Sequence, residues 1–145
     1  FTVYGPYQRP DLAIHKFARL MTTGKPIPVF GDGTSQRDYT YVDDIVEGII
    51  RAWGWLQRGE ITESAYDIFN LGGSHPVPLL ELIRLLETSL GCTAGLDWQP
   101  DQPGDVPMTY ADLHKSEALL GYRPQVDIAT GIQRFATWFR AYYQL

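Results

Sequence analysis

Two arginines stand in loops where a protein could hold a phosphate group. Arg9 lies between an apolar run and a helical pattern, and Arg37 lies between a glycine-rich turn and a predicted strand. A guanidinium in such a loop can hold a phosphate through two parallel hydrogen bonds. The alternative is that each arginine pairs with a nearby carboxylate, for example Arg37 with Asp38 or Asp43, and composition alone favours that alternative.

The other chemically active residue types form no catalytic group in this sequence. It contains no glycine-rich dinucleotide fingerprint, no Walker sequence and no Gly-x-Ser-x-Gly elbow. The histidines His15, His75 and His114 are far from any evident nucleophile, and with the single cysteine Cys92 they offer no zinc-ligand spacing. We therefore predict no catalytic residue and no metal ligand in this chain.

Aromatic residues near the second arginine could stack on a base or a sugar. They are Phe30, Tyr39 and Tyr41. Packing in the core is the alternative, and it is the commoner role of an aromatic residue on a strand.

Length and charge narrow the class of protein. The chain has 145 residues, enough for one domain with its own core, and a net charge of -5. An acidic chain lacks the basic surface that nucleic acids need, so no nucleic-acid partner is predicted. No apolar run reaches the roughly 20 residues that a membrane span needs. We predict a soluble cytoplasmic protein without a disulfide bond or a membrane partner.

Helical periodicity occurs five times along the chain. Four of the predicted helices have an aspartate as cap, namely Asp11, Asp43 or Asp44, Asp112 and Asp127, and the remaining helix begins at Leu79. Glycines close three of them, namely Gly24, Gly91 and Gly121. The apolar face of the second helix contains Val46, Ile49, Ile50 and Trp53.

Short strands are predicted between the helices, which indicates a mixed α/β domain in which helices dominate. They cover residues 1–4, 26–30, 38–42, 66–71 and 96–98, and residues 99–107 form a proline-rich loop. The first strand ends in a Gly-Pro turn. A strand of this kind needs neighbours, so we expect further sequence upstream.

Six short motifs resemble, in order, the C-terminal half of extended short-chain dehydrogenase/reductase enzymes that act on nucleotide sugars. They are Tyr4-Gly5-Pro6, the stretch at 24–31, Arg37-Asp38-Tyr39-x-Tyr41-Val42-x-Asp44, the Tyr-x-Ile-x-Asn-x-Gly pattern at 66–73, the Gln-Pro-Gly-Asp-Val-Pro at 102–107 and Gly121-Tyr122-Arg123-Pro124. The resemblance covers essentially the whole chain. Within this NAD-dependent epimerase/dehydratase family, the residues at 9–11 and 102–107 are most similar to those of UDP-glucuronate 4-epimerases.

The resemblance implies a helix-rich α/β substrate-binding domain spanning residues 1–145, with residues 1–6 as the end of a strand from a Rossmann half that is not in this chain. That half would hold NAD and a catalytic Tyr-x-x-x-Lys pair, and the full-length enzyme could be a homodimer. Tyr110 and Lys115 are five residues apart, so they do not match that pair. This chain alone is expected to be inactive. The alternatives are a nucleotide-sugar 4,6-dehydratase, a decarboxylase, or a non-catalytic nucleotide-sugar-binding module.

The resemblance also implies roles for individual residues toward a UDP-sugar and NAD. The substrate-binding positions are Thr2, Arg9, Leu12, Ala13, Val29, Phe30, Arg37 and Asp105. Tyr4 and Gly5 match the turn beside the nicotinamide of NAD. Many relatives have arginine where this sequence has Gln102, and the uronate epimerases share the glutamine.

Overall fold

The fold consists of five helices and five short strands in the part of the chain that the computed structural model describes, residues 1–58 and 66–145. In chain order they are β1 (Thr2–Tyr4), α1 (Ala13–Thr22), β2 (Ile27–Phe30), β3 (Gln36–Tyr41), α2 (Val42–Gln57), β4 (Pro76–Pro78), α3 (Leu79–Leu90), β5 (Leu96–Gln99), α4 (His114–Leu120) and α5 (Ile128–Tyr143). The prediction of a helix-rich α/β domain is confirmed.

The strands form two small sheets. In the first, the order is β1-β3-β4: β1 runs parallel to β3, with Thr2 opposite Tyr39, and β4 pairs antiparallel with the start of β3. In the second, β2 runs parallel to β5, with Ile27 opposite Leu96. The chain between these strands must cross over, and α1 and α3 provide much of that crossover.

The main core lies between the strands and the helices α1, α3 and α5. Its fully buried members include Ile14, Leu82, Leu86, Phe135 and Phe139. A second, smaller cluster joins α2 to α4 and contains Trp55, Leu120 and Tyr122. Burial of large side chains of this kind contributes about 1.5–3 kcal/mol for each residue.

A close contact between β1 and α5 requires a glycine. The Tyr4 ring is buried and meets the rings of Tyr39 and Tyr41 edge to face. A Cβ atom on Gly131 would lie 1.9 Å from the Tyr4 hydroxyl oxygen. Only glycine at position 131 therefore lets α5 approach β1 so closely.

Several predicted boundaries are confirmed. Helix α3 spans Leu79–Leu90, and left-handed glycines follow α3 and α4 at Gly91 and Gly121. Asp127 caps α5, where its carboxylate accepts a 2.8 Å hydrogen bond from the backbone N–H of Thr130. The predicted loop at 99–107 carries no strand or helix beyond the end of β5.

The acidic caps predicted for α1, α2 and α4 are wrong, and α4 begins after Leu113 without a side-chain cap. Helix α1 begins after Leu12, and the Asp11 carboxylate pairs instead with Arg9. Helix α2 begins directly after β3, which places Asp43 and Asp44 inside its first turn. In α2, these two negative charges stabilise the N-terminus in place of a cap, because the positive end of the helix dipole lies there.

Two strand assignments also differ from prediction. Residues 66–71 form no strand, and the Asn70 carbonyl accepts a hydrogen bond from the Ser116 hydroxyl and not from a neighbouring strand. Strand β4 was missed because two of its three residues, Pro76 and Pro78, lack the backbone N–H that strand patterns favour.

Candidate functional site

A cavity of about 220 Å³ opens between the start of α1, the strands β2 and β3, and the loop at 99–107. Four of the predicted substrate-binding residues line it: Ala13, Phe30, Arg37 and Asp105. The remaining lining residues are Asp11, Lys16, Phe17, Pro28, Ser35, Tyr39 and Leu79. The fold therefore gathers predicted residues from four separate segments around one space.

Arg37 is held by the proline-rich loop. Its guanidinium pairs with the Asp105 carboxylate and donates a second hydrogen bond, 2.8 Å long, to the carbonyl of Gln36. The predicted alternative pairing of Arg37 with Asp38 or Asp43 is wrong. The Asp105 contact orients the planar donor fork, and its remaining N–H groups can serve a phosphate.

Asp38, the next residue in β3, has a structural role. Its carboxylate is fully buried and accepts hydrogen bonds from the backbone N–H groups of Gly73, Ser74 and Ala111 at 2.8, 3.0 and 2.9 Å. A buried carboxylate needs such partners, because leaving it unpaired would cost several kcal/mol. Asp38 thus ties β3, and with it Arg37, to two loops from the second half of the chain.

The segment at 72–74 fits this carboxylate because it contains glycine. A Cβ atom on Gly73 would lie 2.6 Å from the Tyr39 carbonyl oxygen and 2.8 Å from a carboxylate oxygen of Asp38. The Gly-Gly pair in the predicted motif is therefore required for backbone N–H groups to reach the carboxylate.

Arg9 lies on an exposed loop and does not line this cavity. Its side chain is 72% exposed and forms a 2.9 Å ion pair with Asp11. Exposed pairs of this kind contribute about 0–1 kcal/mol, so a ligand could displace the contact at little cost. The loop turns at Tyr7, a non-glycine residue with a φ of +61°.

His15 holds this loop against the core, a role that the sequence did not predict. Its Nδ1 atom is 2.8 Å from the Gln8 carbonyl oxygen, which can only accept, so Nδ1 carries a proton. In the neutral ring, Nε2 then accepts from the Tyr143 hydroxyl at 3.0 Å. The imidazole is buried against the rings of Phe135 and Phe139. His15 therefore connects the Arg9 loop to the last turn of α5.

Three further predicted residues do not line the cavity: Thr2 in β1, Leu12 just before α1, and Val29 in β2. Thr2 and Leu12 are half-buried, and the Val29 side chain is fully buried in the core. Val29 can therefore offer a ligand only its backbone, whereas Phe30 beside it is 38% exposed.

The two predicted cofactor positions, Tyr4 and Gly5, face the interior. Burial raises the pKa of Tyr4 well above its usual range, and its ring is enclosed by the core. A Cβ atom on Gly5, whose φ is +145°, would lie 2.8 Å from Val42 Cγ1. These positions fit a dinucleotide only through backbone atoms at the surface of the turn.

The predicted stacking roles of the two tyrosines are not supported by their burial. Tyr39 and Tyr41 both pack in the core. Burial raises the pKa of Tyr39 to about 12, so its phenol stays protonated and does not serve as a base. Phe30 is the one candidate of the three with an exposed ring.

Lys16 is a cavity residue that the sequence reasoning missed. It lies one helical turn after Ala13 and also lines a second hollow of about 250 Å³ with Arg19 and Lys25. Within residues 1–58 and 66–145, no carboxylate forms an ion pair with it. The spacing from Ala13 was the available signal, since residues three apart on a helix share a face.

In the described part of the chain, no three histidine, cysteine or acidic side chains lie close enough together to ligate a metal ion. No helix found there combines the length and the apolar character needed to cross a bilayer.

Comparisons with known proteins identify a matching family model and related sequences. Residues 1–72 match a family model described as the NAD dependent epimerase/dehydratase family. An uncharacterised protein of Methanocaldococcus jannaschii is 49% identical over 96% of this chain and 40% of its own length. A UDP-glucuronate 4-epimerase of Thermodesulfobacterium geofontis is 37% identical over 100% of this chain and 43% of its own length.

The fold has a close match among solved structures. The UDP-glucuronic acid 4-epimerase of Bacillus cereus, solved in complex with UDP-glucuronic acid and NAD, aligns with a TM-score of 0.85 and 35% identity. The alignment covers 99% of this chain and 44% of that protein. The chain thus spans less than half the length of the relatives it matches. The ordered motifs, the fold and these matches agree that the chain belongs to the NAD-dependent epimerase/dehydratase family.

Proposed function

We propose that this chain is the C-terminal, nucleotide-sugar-binding portion of an NAD-dependent UDP-glucuronate 4-epimerase. The observation that carries the proposal is the cavity itself. It brings together Ala13, Phe30, Arg37 and Asp105, four positions that the family resemblance assigns to the substrate. The similarity to a relative solved with UDP-glucuronic acid supports the choice of substrate.

Each residue has a chemical task in this proposal. Arg37, oriented by Asp105, donates to the diphosphate, and the exposed ring of Phe30 lies against the uracil. The small Ala13 side chain lets the base approach α1. Asp105 accepts from a ribose hydroxyl with the carboxylate oxygen that Arg37 does not occupy. Lys16, which also lines the cavity, adds a second positive charge near the phosphates.

The remaining predicted positions border this space. Thr2 and the Arg9 loop would face the sugar and the diphosphate, Leu12 would close over the base, and Val29 would contribute only backbone. The cavity of about 220 Å³ is smaller than the usual 300–1,000 Å³ of a ligand site. The rest of the pocket would therefore come from residues outside this chain.

When bound, NAD would accept a hydride from C4 of the sugar and return it to the other face. The described residues offer NAD no cradle beyond the backbone of the Tyr4-Gly5 turn. Their part is to bind and orient the nucleotide. Tyr110 and Lys115 are engaged elsewhere, since the Tyr110 hydroxyl accepts from Ser74 and Lys115 pairs with Asp67.

The location and assembly of the full-length protein are part of the same proposal. A cytoplasmic enzyme without a nucleic-acid partner fits the acidic composition. A homodimer is proposed from the family resemblance alone. The choice between epimerase and dehydratase or decarboxylase depends on catalytic residues outside this chain.

Titration calorimetry of the 145-residue chain with UDP and with UDP-glucuronate tests the binding proposal. We expect weak binding of both, and its loss in Ala13→Phe, because the larger ring would occupy the cavity. The matched control is Ala129→Phe, at an exposed alanine in the first turn of α5. Absence of binding in the parent chain, or equal binding by Ala13→Phe, would contradict the proposed site.

A further inference from the structure

The loop that presents Arg9 is held in a strained shape by contacts at the two residues before it. Tyr7 has a φ of +61°, in the left-handed region that a residue with a side chain rarely adopts. Its ring centroid lies 5.1 Å from that of Trp138 and 6.0 Å from that of Tyr142, both on α5. Such a conformation persists only where its surroundings impose it, and it occurs often at ligand-binding sites. Helix α5 therefore helps to shape the loop just before Arg9.

Gln8, directly before Arg9, is fixed through both its side chain and its backbone. Its side-chain amide donates a 3.2 Å hydrogen bond to the Val3 carbonyl in β1, and its backbone N–H donates one of the same length to the Gly5 carbonyl. Its own carbonyl accepts from Nδ1 of His15 at 2.8 Å. These three hydrogen bonds fix Gln8 relative to β1 and α1, the two elements that flank the loop.

The imidazole of His15 forms hydrogen bonds that an apolar side chain could not form. It is 3% exposed and lies among aromatic rings of α5. An apolar residue would fill the same space without the cost of burying two nitrogen atoms. The histidine adds the bond to the Gln8 carbonyl on one side and the 3.0 Å bond between Nε2 and the Tyr143 hydroxyl on the other.

We propose that His15 and Tyr143 are positioning residues for Arg9. Through the Gln8 carbonyl, they set where its guanidinium meets the anionic part of the nucleotide sugar. The Arg9 side chain itself is 72% exposed, and its ion pair with Asp11 lies at the surface. An arginine on a fixed backbone loses less conformational entropy on binding than one on a loose loop. The role of Arg9 toward the ligand rests on the proposed function.

Hydrogen exchange without ligand tests the positioning itself. His15→Phe keeps the aromatic packing and removes both hydrogen bonds, so the amides of residues 5–12 should exchange about tenfold faster relative to those of α3. His15→Asn should recover part of the protection, because its amide nitrogen can donate from near the position of Nδ1. Tyr143→Phe removes only one hydroxyl and should speed exchange by a smaller factor. Unchanged exchange in His15→Phe and Tyr143→Phe, or no recovery in His15→Asn, would overturn the proposal.

Calorimetry with UDP-glucuronate tests whether the effect passes through Arg9. His15→Phe should weaken binding about fivefold in the parent chain and have no further effect in the Arg9→Ala background. A residue that shapes the site without Arg9 would weaken binding equally in both backgrounds, and a purely structural residue would weaken it in neither. Either result would overturn the proposal. His114→Phe, at a side chain that is 96% exposed, is the matched control and should bind as the parent chain does.

The two experiments separate this proposal from the proposed function. Failure of the parent chain to bind UDP-glucuronate would contradict the proposed function, and with it the role of Arg9 toward the ligand. The exchange of residues 5–12 would still decide whether His15 holds the loop. Binding by the parent chain together with unchanged exchange in His15→Phe would contradict the positioning alone.

Discussion

Arg37 and Asp105 form an ion pair across the candidate cavity although 68 residues separate them in the chain. The pair joins β3 to the proline-rich loop and leaves the guanidinium partly exposed. An arginine that is already oriented loses less conformational entropy when it binds a phosphate. The pair therefore prepares the site for an anionic ligand.

Arg37→Lys should weaken UDP binding about tenfold or more, because lysine keeps the charge but loses the planar fork of donors. Calorimetry should show little change for uridine, which has no phosphate. Arg84→Lys is the matched control on an exposed helix face. An equal loss for UDP and uridine would indicate that Arg37 shapes the cavity and does not bind phosphate.

Asp38→Asn should destabilise the fold by about 2–4 kcal/mol, since the NH2 group would replace one carboxylate oxygen and face either the backbone N–H of Gly73 or those of Ser74 and Ala111. Urea unfolding at neutral pH measures the change. Asp97→Asn, at an exposed carboxylate that accepts a hydrogen bond from the Gln99 side chain, serves as the control. An unchanged free energy of unfolding in Asp38→Asn would show that the Asp38 carboxylate does not stabilise the fold through these hydrogen bonds.

Local signals predicted the elements well where chain geometry alone determines them. Helix α3 and its left-handed Gly91 followed from periodicity and glycine. The pairing of Arg37 with Asp105 could not be predicted, because nothing local indicates that residue 105 returns to β3. The same holds for Asp38, whose partners Gly73 and Ala111 are distant in sequence.

The orientation of α2 was also beyond local reasoning. The sequence identifies Val46, Ile49, Ile50 and Trp53 as one apolar face, but not the surface that this face contacts. Within the described residues it faces solvent, because Gly48 and Asp44 fix the other side. Periodicity specifies a helix face, whereas its partner depends on tertiary contacts.

Asp127→Ala should lower the free energy of unfolding by about 1 kcal/mol at pH 7, because α5 loses its cap. Hydrogen bonds from the backbone and the hydroxyl of Thr130 lower the pKa of Asp127. A lowered pKa in the folded state contributes stability above the unfolded value near 4, and that contribution is lost as the pH falls. Urea unfolding at pH 7 and pH 3 should show the difference between wild type and variant shrinking at the lower pH. A constant difference would exclude the charged cap as its source.

Gly131→Ala should destabilise the fold by about 1–3 kcal/mol, since its methyl group would overlap the Tyr4 hydroxyl. Tyr4→Phe should be neutral or stabilising, because that hydroxyl is buried without a hydrogen-bond partner among the described residues. The double variant should recover part of the loss, which a double-mutant cycle by urea unfolding measures. Strict additivity of the two changes would show that the methyl group meets something other than the hydroxyl.

The purified 145-residue chain should produce no 4-epimer of UDP-glucuronate, even with NAD added. Tyr110 and Lys115 are committed to Ser74 and Asp67, and the turn at Gly5 offers NAD only backbone atoms. Chromatography of long incubations at high protein concentration provides the measurement, with the UDP-glucuronic acid 4-epimerase of Bacillus cereus as the positive control. Turnover by the 145-residue chain would mean that these residues contain a redox site of their own.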